Sequence, residues 1–128
     1  MNRGQQFHYT PLTPGLSIGE SMTAYEKTFA EIARLKQGMR VLDLGCGIGG
    51  PARTIAGTVG CNIVGITNSA WHVERGTVLT EQAGMEKLVT FVHGDFCVRT
   101  SRNSVAKQLM DGQTANPKSE TPVPGRVL

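Results

Sequence analysis

No run of apolar residues in this sequence is long enough to cross a bilayer, and the opening Met1-Asn2-Arg3-Gly4-Gln5-Gln6 lacks the apolar stretch of a secretory signal. Both absences make a soluble, cytoplasmic protein the first expectation. Cysteine is scarce. Cys46, Cys61 and Cys97 are odd in number and show no Cys-x-x-Cys spacing, so neither a disulfide framework nor a metal site is indicated, and small buried side chains in a reducing compartment are expected. Aromatic residues make up only 5% of the chain, and none follows Phe96. An excess of basic charge is absent where folding is expected: residues 1–98 hold eight Lys and Arg against eight Asp and Glu. The net charge of +3 arises beyond them, where five basic residues oppose two acidic ones, so no basic face for nucleic acid is expected.

At 128 residues the chain allows one domain at most and is shorter than a complete doubly wound sheet usually needs. From Arg99 to Leu128 it carries Pro117, Pro122 and Pro124, with only scattered apolar positions such as Val105, Leu109 and Met110. Such a segment buries too little surface to offset its ordering entropy, beyond a marginal helical turn or two at 104–110. The expected organisation is an N-terminal arm at 1–20, one α/β domain at 21–98 and an unstructured tail at 99–128. No internal repeat is visible.

Between Ser21 and Phe96 the pattern alternates helix and strand three times, the signature of a parallel sheet covered by helices. Tyr25, Phe29, Ile32 and Leu35 recur along one face of a first helix, which Gly38 is placed to end. Met39–Leu44 reads as a buried strand, Gly45–Gly50 as a glycine-rich turn, and Pro51 suits the first position of a helix that runs to about Ala56. Asn62–Ile66 gives a second strand. Ser69 can cap a third helix that carries Trp71, Val73 and Leu79 and stops at Gly84, with Trp71 read as core; Leu88–Val92 gives the third strand. Three parallel strands in the order 3-2-1, joined by right-handed crossovers, are therefore expected.

The turn Asp43-Leu44-Gly45-Cys46-Gly47-Ile48-Gly49-Gly50 carries the chemistry. A strand that ends in Gly-x-Gly-x-Gly lets backbone pass close to a ligand, because no Cβ blocks the approach. Dinucleotide sites bring a phosphate to bare amides at a helix N-terminus, and an acid beside them is unhelpful. S-Adenosylmethionine has no phosphate and presents a cationic methionine end, which suits Asp43.

The whole run from Val41 to Arg53, Val-Leu-Asp-Leu-Gly-Cys-Gly-Ile-Gly-Gly-Pro-Ala-Arg, resembles motif I of the sterol 24-C-methyltransferase family, which are class I S-adenosylmethionine-dependent methyltransferases. Upstream, Gln6-Phe7-His8-Tyr9 is similar to the end of that family's aromatic N-terminal signature, and Gly19-Glu20-Ser21 to its Gly-Glu-Ser step. Downstream, Val92-His93-Gly94-Asp95-Phe96 is similar to the segment after the third strand. The resemblance spans roughly residues 5–97 and implies a Rossmann-like fold of which only the first βαβαβ half is present. The acidic and aromatic segment, later strands and substrate domain that the family would show next are not found, so a partial chain is expected.

The resemblance implies a cofactor set of Asp43, Gly45, Cys46, Gly47, Gly49, Thr67, Asn68, Asp95 and Phe96, with Asp95 meeting the adenine amino group. Where most class I methyltransferases end the second strand with an acid for the ribose, this chain has Thr67-Asn68, as sterol, tocopherol and cyclopropane-forming methyltransferases tend to. These two residues either contact the ligand or cap the next helix. Methyl transfer from a sulfonium needs alignment more than a nucleophile triad, and an alkene acceptor passes through a carbocation that aromatic faces stabilise and a base deprotonates. Catalytic candidates are Tyr9, His8 and Glu20. Phe7 and Tyr9 either form an aromatic wall or pack the arm, and Glu20 either orients a substrate hydroxyl or closes a capping box with Ser17. His72 and His93 read as surface or loop residues. The implied activity is C-methylation of a sterol side-chain alkene, with a small-molecule lipid as partner and peripheral contact at the endoplasmic reticulum membrane left open. The alternatives are a non-catalytic S-adenosylmethionine-binding fragment, or a methyltransferase for a tocopherol or fatty acyl chain.

Overall fold

Alternate residues of three short strands point to two faces, and that alternation builds the core. The computed structural model describes residues 8–95 and the backbone of 125–127. Strands β1 (Arg40–Leu44), β2 (Asn62–Thr67) and β3 (Val89–His93) are parallel, with Val41 opposite Ile63 and Ile63 opposite Val89. Those three side chains are buried with Ala52, Ile55 and Ala56 of helix α2 (Gly50–Val59) and Ala30 of helix α1 (Ile18–Ile32). Leu42 and Ile66 form a smaller cluster with Leu44, Val64 and Val92. The α/β class and the order 3-2-1 of the first three strands are as the pattern predicts. Among the described residues no helix is long and apolar enough to cross a membrane.

A fourth strand departs from expectation. β4 (Gly125–Val127) pairs parallel with β1, setting Val41 opposite Arg126 and Leu42 opposite Val127, and the sheet order is β3-β2-β1-β4. The tail expected to be unstructured thus contributes a strand, for a physical reason: the edge of β1 offers unpaired amides and carbonyls that any extended segment satisfies. The expected helical turns at 104–110 and the expected boundary near Cys97 lie outside the described residues.

Helix α1 begins as its sequence dictates and ends differently. Ser17 caps it in a full capping box, Oγ accepting from Glu20 N at 3.3 Å while Glu20 Oε2 accepts from Ser17 N at 2.8 Å. It ends at Ile32, six residues before Gly38. Arg34 takes a left-handed conformation (φ 52°) and Leu35 N donates to Ala30 O at 3.0 Å, closing a Schellman turn without glycine. Gly38 instead bonds across to Gly60 O at 2.9 Å. The buried face of α1 is also not the aromatic one: Ser21, Glu26 and Ala30 are buried, whereas Tyr25, Phe29 and Ile32 are exposed.

Helix α3 (Ala70–Gln82) is capped by Ser69 and followed by Gly84, as expected, but Trp71 in its first turn is 62% exposed and is not core. The helix approaches the sheet through Gly76 instead, where a side chain would meet the Phe91 ring at 2.9 Å and Ile48 O at 3.2 Å. Substituting Gly76→Ala is therefore expected to lower the unfolding free energy by about 1–3 kcal/mol in urea denaturation. Phe91→Leu in the same background should return part of that loss, and strictly additive effects of the two changes would place the clash elsewhere.

Candidate cofactor-binding site

The loop from Gly45 to Gly49 is held on several sides. Gly45 N and Cys46 N donate to Ile66 O at 2.9 and 3.2 Å, tying the loop to the carboxyl end of β2, and Gly49 N donates to Cys46 O at 2.9 Å. The buried guanidinium of Arg53 reaches back from α2 to donate to Ile48 O at 2.8 Å and to Thr80 Oγ1 of α3 at 3.2 Å. Arg53 therefore clamps the loop between two helices, which gives the Gly-Gly-Pro-Ala-Arg ending a structural purpose. Gly47 adopts φ +54°, and a Cβ there would meet no atom within 4 Å. The backbone is thus open at Gly47, whereas at Gly49 (φ +74°) the missing Cβ makes room for the Phe91 ring, 2.4 Å from where it would stand.

The opening at Gly47 leads into a cavity of about 370 Å³. Asp43, Gly45, Cys46 and Gly47 supply its strand side; Tyr25, Glu26 and Phe29 of α1 face it, with His8 and Tyr9 of the arm at its rim. Burial pushes the Asp43 carboxyl up to about 6. Burial, and then the charge of Asp43, push the Cys46 thiol up to about 12, so it stays protonated at neutral pH and acts as packing rather than as a nucleophile. A cavity with a partly desolvated carboxyl and little else polar on its strand side favours a ligand that brings its own positive charge.

The residues singled out from the sequence divide into four groups. Asp43, Gly45, Cys46, Gly47, His8 and Tyr9 border this cavity, although Tyr9 is 86% exposed. Thr67, Asn68 and Asp95 lie at or just beyond the carboxyl ends of β2 and β3, on the same edge of the sheet but outside the cavity. Thr67 is buried there, its Oγ1 3.2 Å from His72 Nδ1 and 3.4 Å from Ser69 N, and His93 Nε2 is 3.2 Å from Asn68 O. His93 is exposed, as expected, and its ring still meets the β2 exit, whereas His72 is half-buried against it. Glu20 and Gly49 do not border the cavity; Glu20 is occupied by Ser17, whose hydrogen bonds hold its carboxyl below the usual carboxylate range. Phe7 and Phe96 lie outside the described residues. Among the bordering residues that were not singled out, the one acid is Glu26, a carboxylate that is only 2% exposed. Its place among apolar neighbours on α1 gives no periodic signal, and only its charge on an inward-facing position marks it. Among the described residues no cluster of His, Cys, Asp or Glu is arranged to hold a metal ion.

Residues 14–98 match the family model described as mycolic acid cyclopropane synthetase. The chain is 37% identical over 119 residues to a botryococcene C-methyltransferase of Botryococcus braunii, which covers 91% of this chain and 31% of the relative. That match reaches past residue 98, where the sequence alone shows no likeness to the family. A sterol 24-C-methyltransferase of Yarrowia lipolytica is 43% identical over 93 residues, covering 73% of this chain and 24% of the relative. Among solved structures, a SAM-dependent methyltransferase from Geobacter sulfurreducens in complex with S-adenosyl-L-homocysteine superposes with a TM-score of 0.56 at 31% identity, covering 76% of this chain and 35% of that one. The chain spans about a quarter to a third of the length of the curated relatives it matches.

The raised Asp43 carboxyl has a consequence for stability. Between about pH 4 and pH 6 the folded protein holds a proton that the unfolded chain releases, so this contribution is full below about pH 4 and is lost as pH rises through 6. Asp43→Asn is expected to remove that slope and to make the protein more stable than the parent at neutral pH, by roughly 2 kcal/mol. Urea denaturation on both sides of the window measures it, and parallel profiles for the two proteins would show that Asp43 is not desolvated.

Proposed function

The chain belongs to the mycolic acid cyclopropane synthetase family of class I S-adenosylmethionine-dependent methyltransferases, and from that premise we propose that it binds S-adenosylmethionine and serves C-methylation of an apolar alkene, most specifically a sterol side chain. The observation that carries the reading is the glycine loop: backbone open at Gly47, beside the half-buried Asp43 carboxyl, at the mouth of a cavity rimmed by aromatic residues. The residues fit the cofactor. Its methionine end suits the Gly45–Gly47 backbone and Asp43, and its nucleoside end suits Thr67, Asn68 and Asp95 at the ends of β2 and β3. When bound, S-adenosylmethionine supplies a methyl group already activated as a sulfonium, so the protein needs chiefly to align donor and acceptor and to exclude water.

The acceptor side of the cavity supports an apolar substrate. Tyr25 and Phe29 border the cavity and remain about two-fifths exposed, and Tyr9 is more open still, so apolar surface continues from the cavity to the outside. The two relatives named above act on a sterol and on botryococcene, to go by their names. A lipid acceptor favours work beside a membrane, in keeping with peripheral contact at the endoplasmic reticulum.

Calorimetry with S-adenosylmethionine tests the first half. Affinity should tighten as pH rises from about 5 to about 7, because a cationic ligand favours ionised Asp43; Asp43→Asn should weaken and flatten the profile. Gly47→Val should abolish binding by filling the open space beside the loop, and an unchanged affinity would remove Gly47 from the site. Transfer of a labelled methyl group to a panel of sterols, squalene and fatty acyl chains tests the second half. Binding without transfer to any of them would favour a non-catalytic S-adenosylmethionine-binding role.

A further inference from the structure

A second carboxylate borders the cavity, and the methyl-donor reading leaves it without a task. Glu26 lies on α1 and is 2% exposed. Its Oε1 stands 3.6 Å from Nε2 of His8, a nitrogen that is itself shielded from solvent. The His8 ring also stacks on Tyr25, with centroids 6.0 Å apart and planes at 26°. Two elements far apart in sequence, the arm and α1, thus bring an imidazole and a carboxylate together at the wall of the cavity. A separation of 3.6 Å suits an ion pair but is too long for a hydrogen bond, as is common for catalytic contacts before substrate arrives.

We propose that His8 is the proton acceptor of the reaction and that Glu26 is its positioning residue, an inference that rests on the reading of the chain as an alkene C-methyltransferase. Addition of the methyl group places the electron pair of the acceptor's double bond in the new C–C bond and leaves the neighbouring carbon cationic. The C–H bond next to that carbon then breaks, its electrons close a new double bond, and the proton passes to His8. With Nε2–H turned toward Glu26, a neutral imidazole carries its lone pair on Nδ1, which takes the proton. Glu26 balances the imidazolium formed, and His8, partly exposed, hands the proton to solvent. Asp43 and Cys46, which also border the cavity, fit the task less well. Cys46 keeps its proton, and Asp43 sits beside the glycine loop, where the cationic cofactor is held.

Two measurements on the full chain test this. In protein labelled with ¹⁵N-histidine, the His8 signals, identified by their loss in His8→Asn, should report the Nε2–H tautomer and should shift toward a mixture in Glu26→Gln. In turnover with labelled S-adenosylmethionine and an alkene acceptor, His8→Asn and Glu26→Gln should each lower kcat by about 10–100-fold with donor KM within about twofold, and the double variant should be no slower than His8→Asn. Both variants should also divert product from methylated alkene to methylated alcohol, because water captures a cation that is not deprotonated in time; a loss of packing alone would not do this. A tautomer indifferent to Glu26→Gln overturns the pairing, and wild-type rate and product in His8→Asn overturn the proton-accepting role. A wild-type chain that methylates no alkene overturns the functional reading instead, and the tautomer separates that failure from a failure of the pair.

Discussion

The seat of one aromatic ring governs the shape of the site. Phe91 projects from β3 into a slot whose walls are three positions without side chains: Gly49 at the head of α2, Gly65 on β2 and Gly76 on α3. A Cβ at Gly49 or Gly76 would stand 2.4 or 2.9 Å from the ring, closer than carbon atoms approach in a packed interior, and one at Gly65 would stand 3.3 Å from the ring and 2.6 Å from the Cys46 sulfur. Because the ring fills that slot, α3 lies near enough for Thr80 to meet Arg53, and Arg53 can then hold the Ile48 carbonyl. The loop is fixed from behind, which leaves Gly47 as the face open to a ligand. A change far from the cavity in sequence would therefore be felt in the loop.

The electrostatics of the cavity follow from what surrounds it. Asp43 comes from a strand where Val41, Leu42 and Leu44 surround it, and Glu26 from the buried face of a helix whose larger apolar residues face outward. Each carboxylate is at least partly removed from water by its neighbours, and a positive charge that arrives or forms beside it offsets that cost. A sulfonium cofactor brings one such charge and a methylated alkene would form another, so the two acids suit the two ends of one reaction.

The elements of the fold were largely legible because their signals are local. Ser17 and Ser69 cap helices with their own side chains, Gly84 follows a helix end, and short segments rich in Val, Ile and Leu made the strands recognisable. Errors came where tertiary contact overrode local preference. Arg34 accepted a left-handed turn that glycine would take more readily, because Leu35 packs against the core cluster that contains Ala30. Trp71 stays outside because glycine, not tryptophan, is what lets α3 approach the sheet. The 125–127 strand had no pattern of its own to betray it; the free edge of β1 supplies its hydrogen-bonding partners.

For the candidate site, the run Asp43-x-Gly-x-Gly marked the loop that borders the cavity, because close approach to backbone and a nearby acid are properties of residue type and spacing. The sequence also determined the strand–loop–helix context that gives those glycines meaning. Only the tertiary structure decided that Gly47 faces open space while Gly49 faces a phenyl ring, since both carry positive φ and nothing local distinguishes them. It alone brought His8 to Glu26 across 18 residues of arm and helix, because side chains meet through packing, and packing is not written at any fixed spacing along the chain.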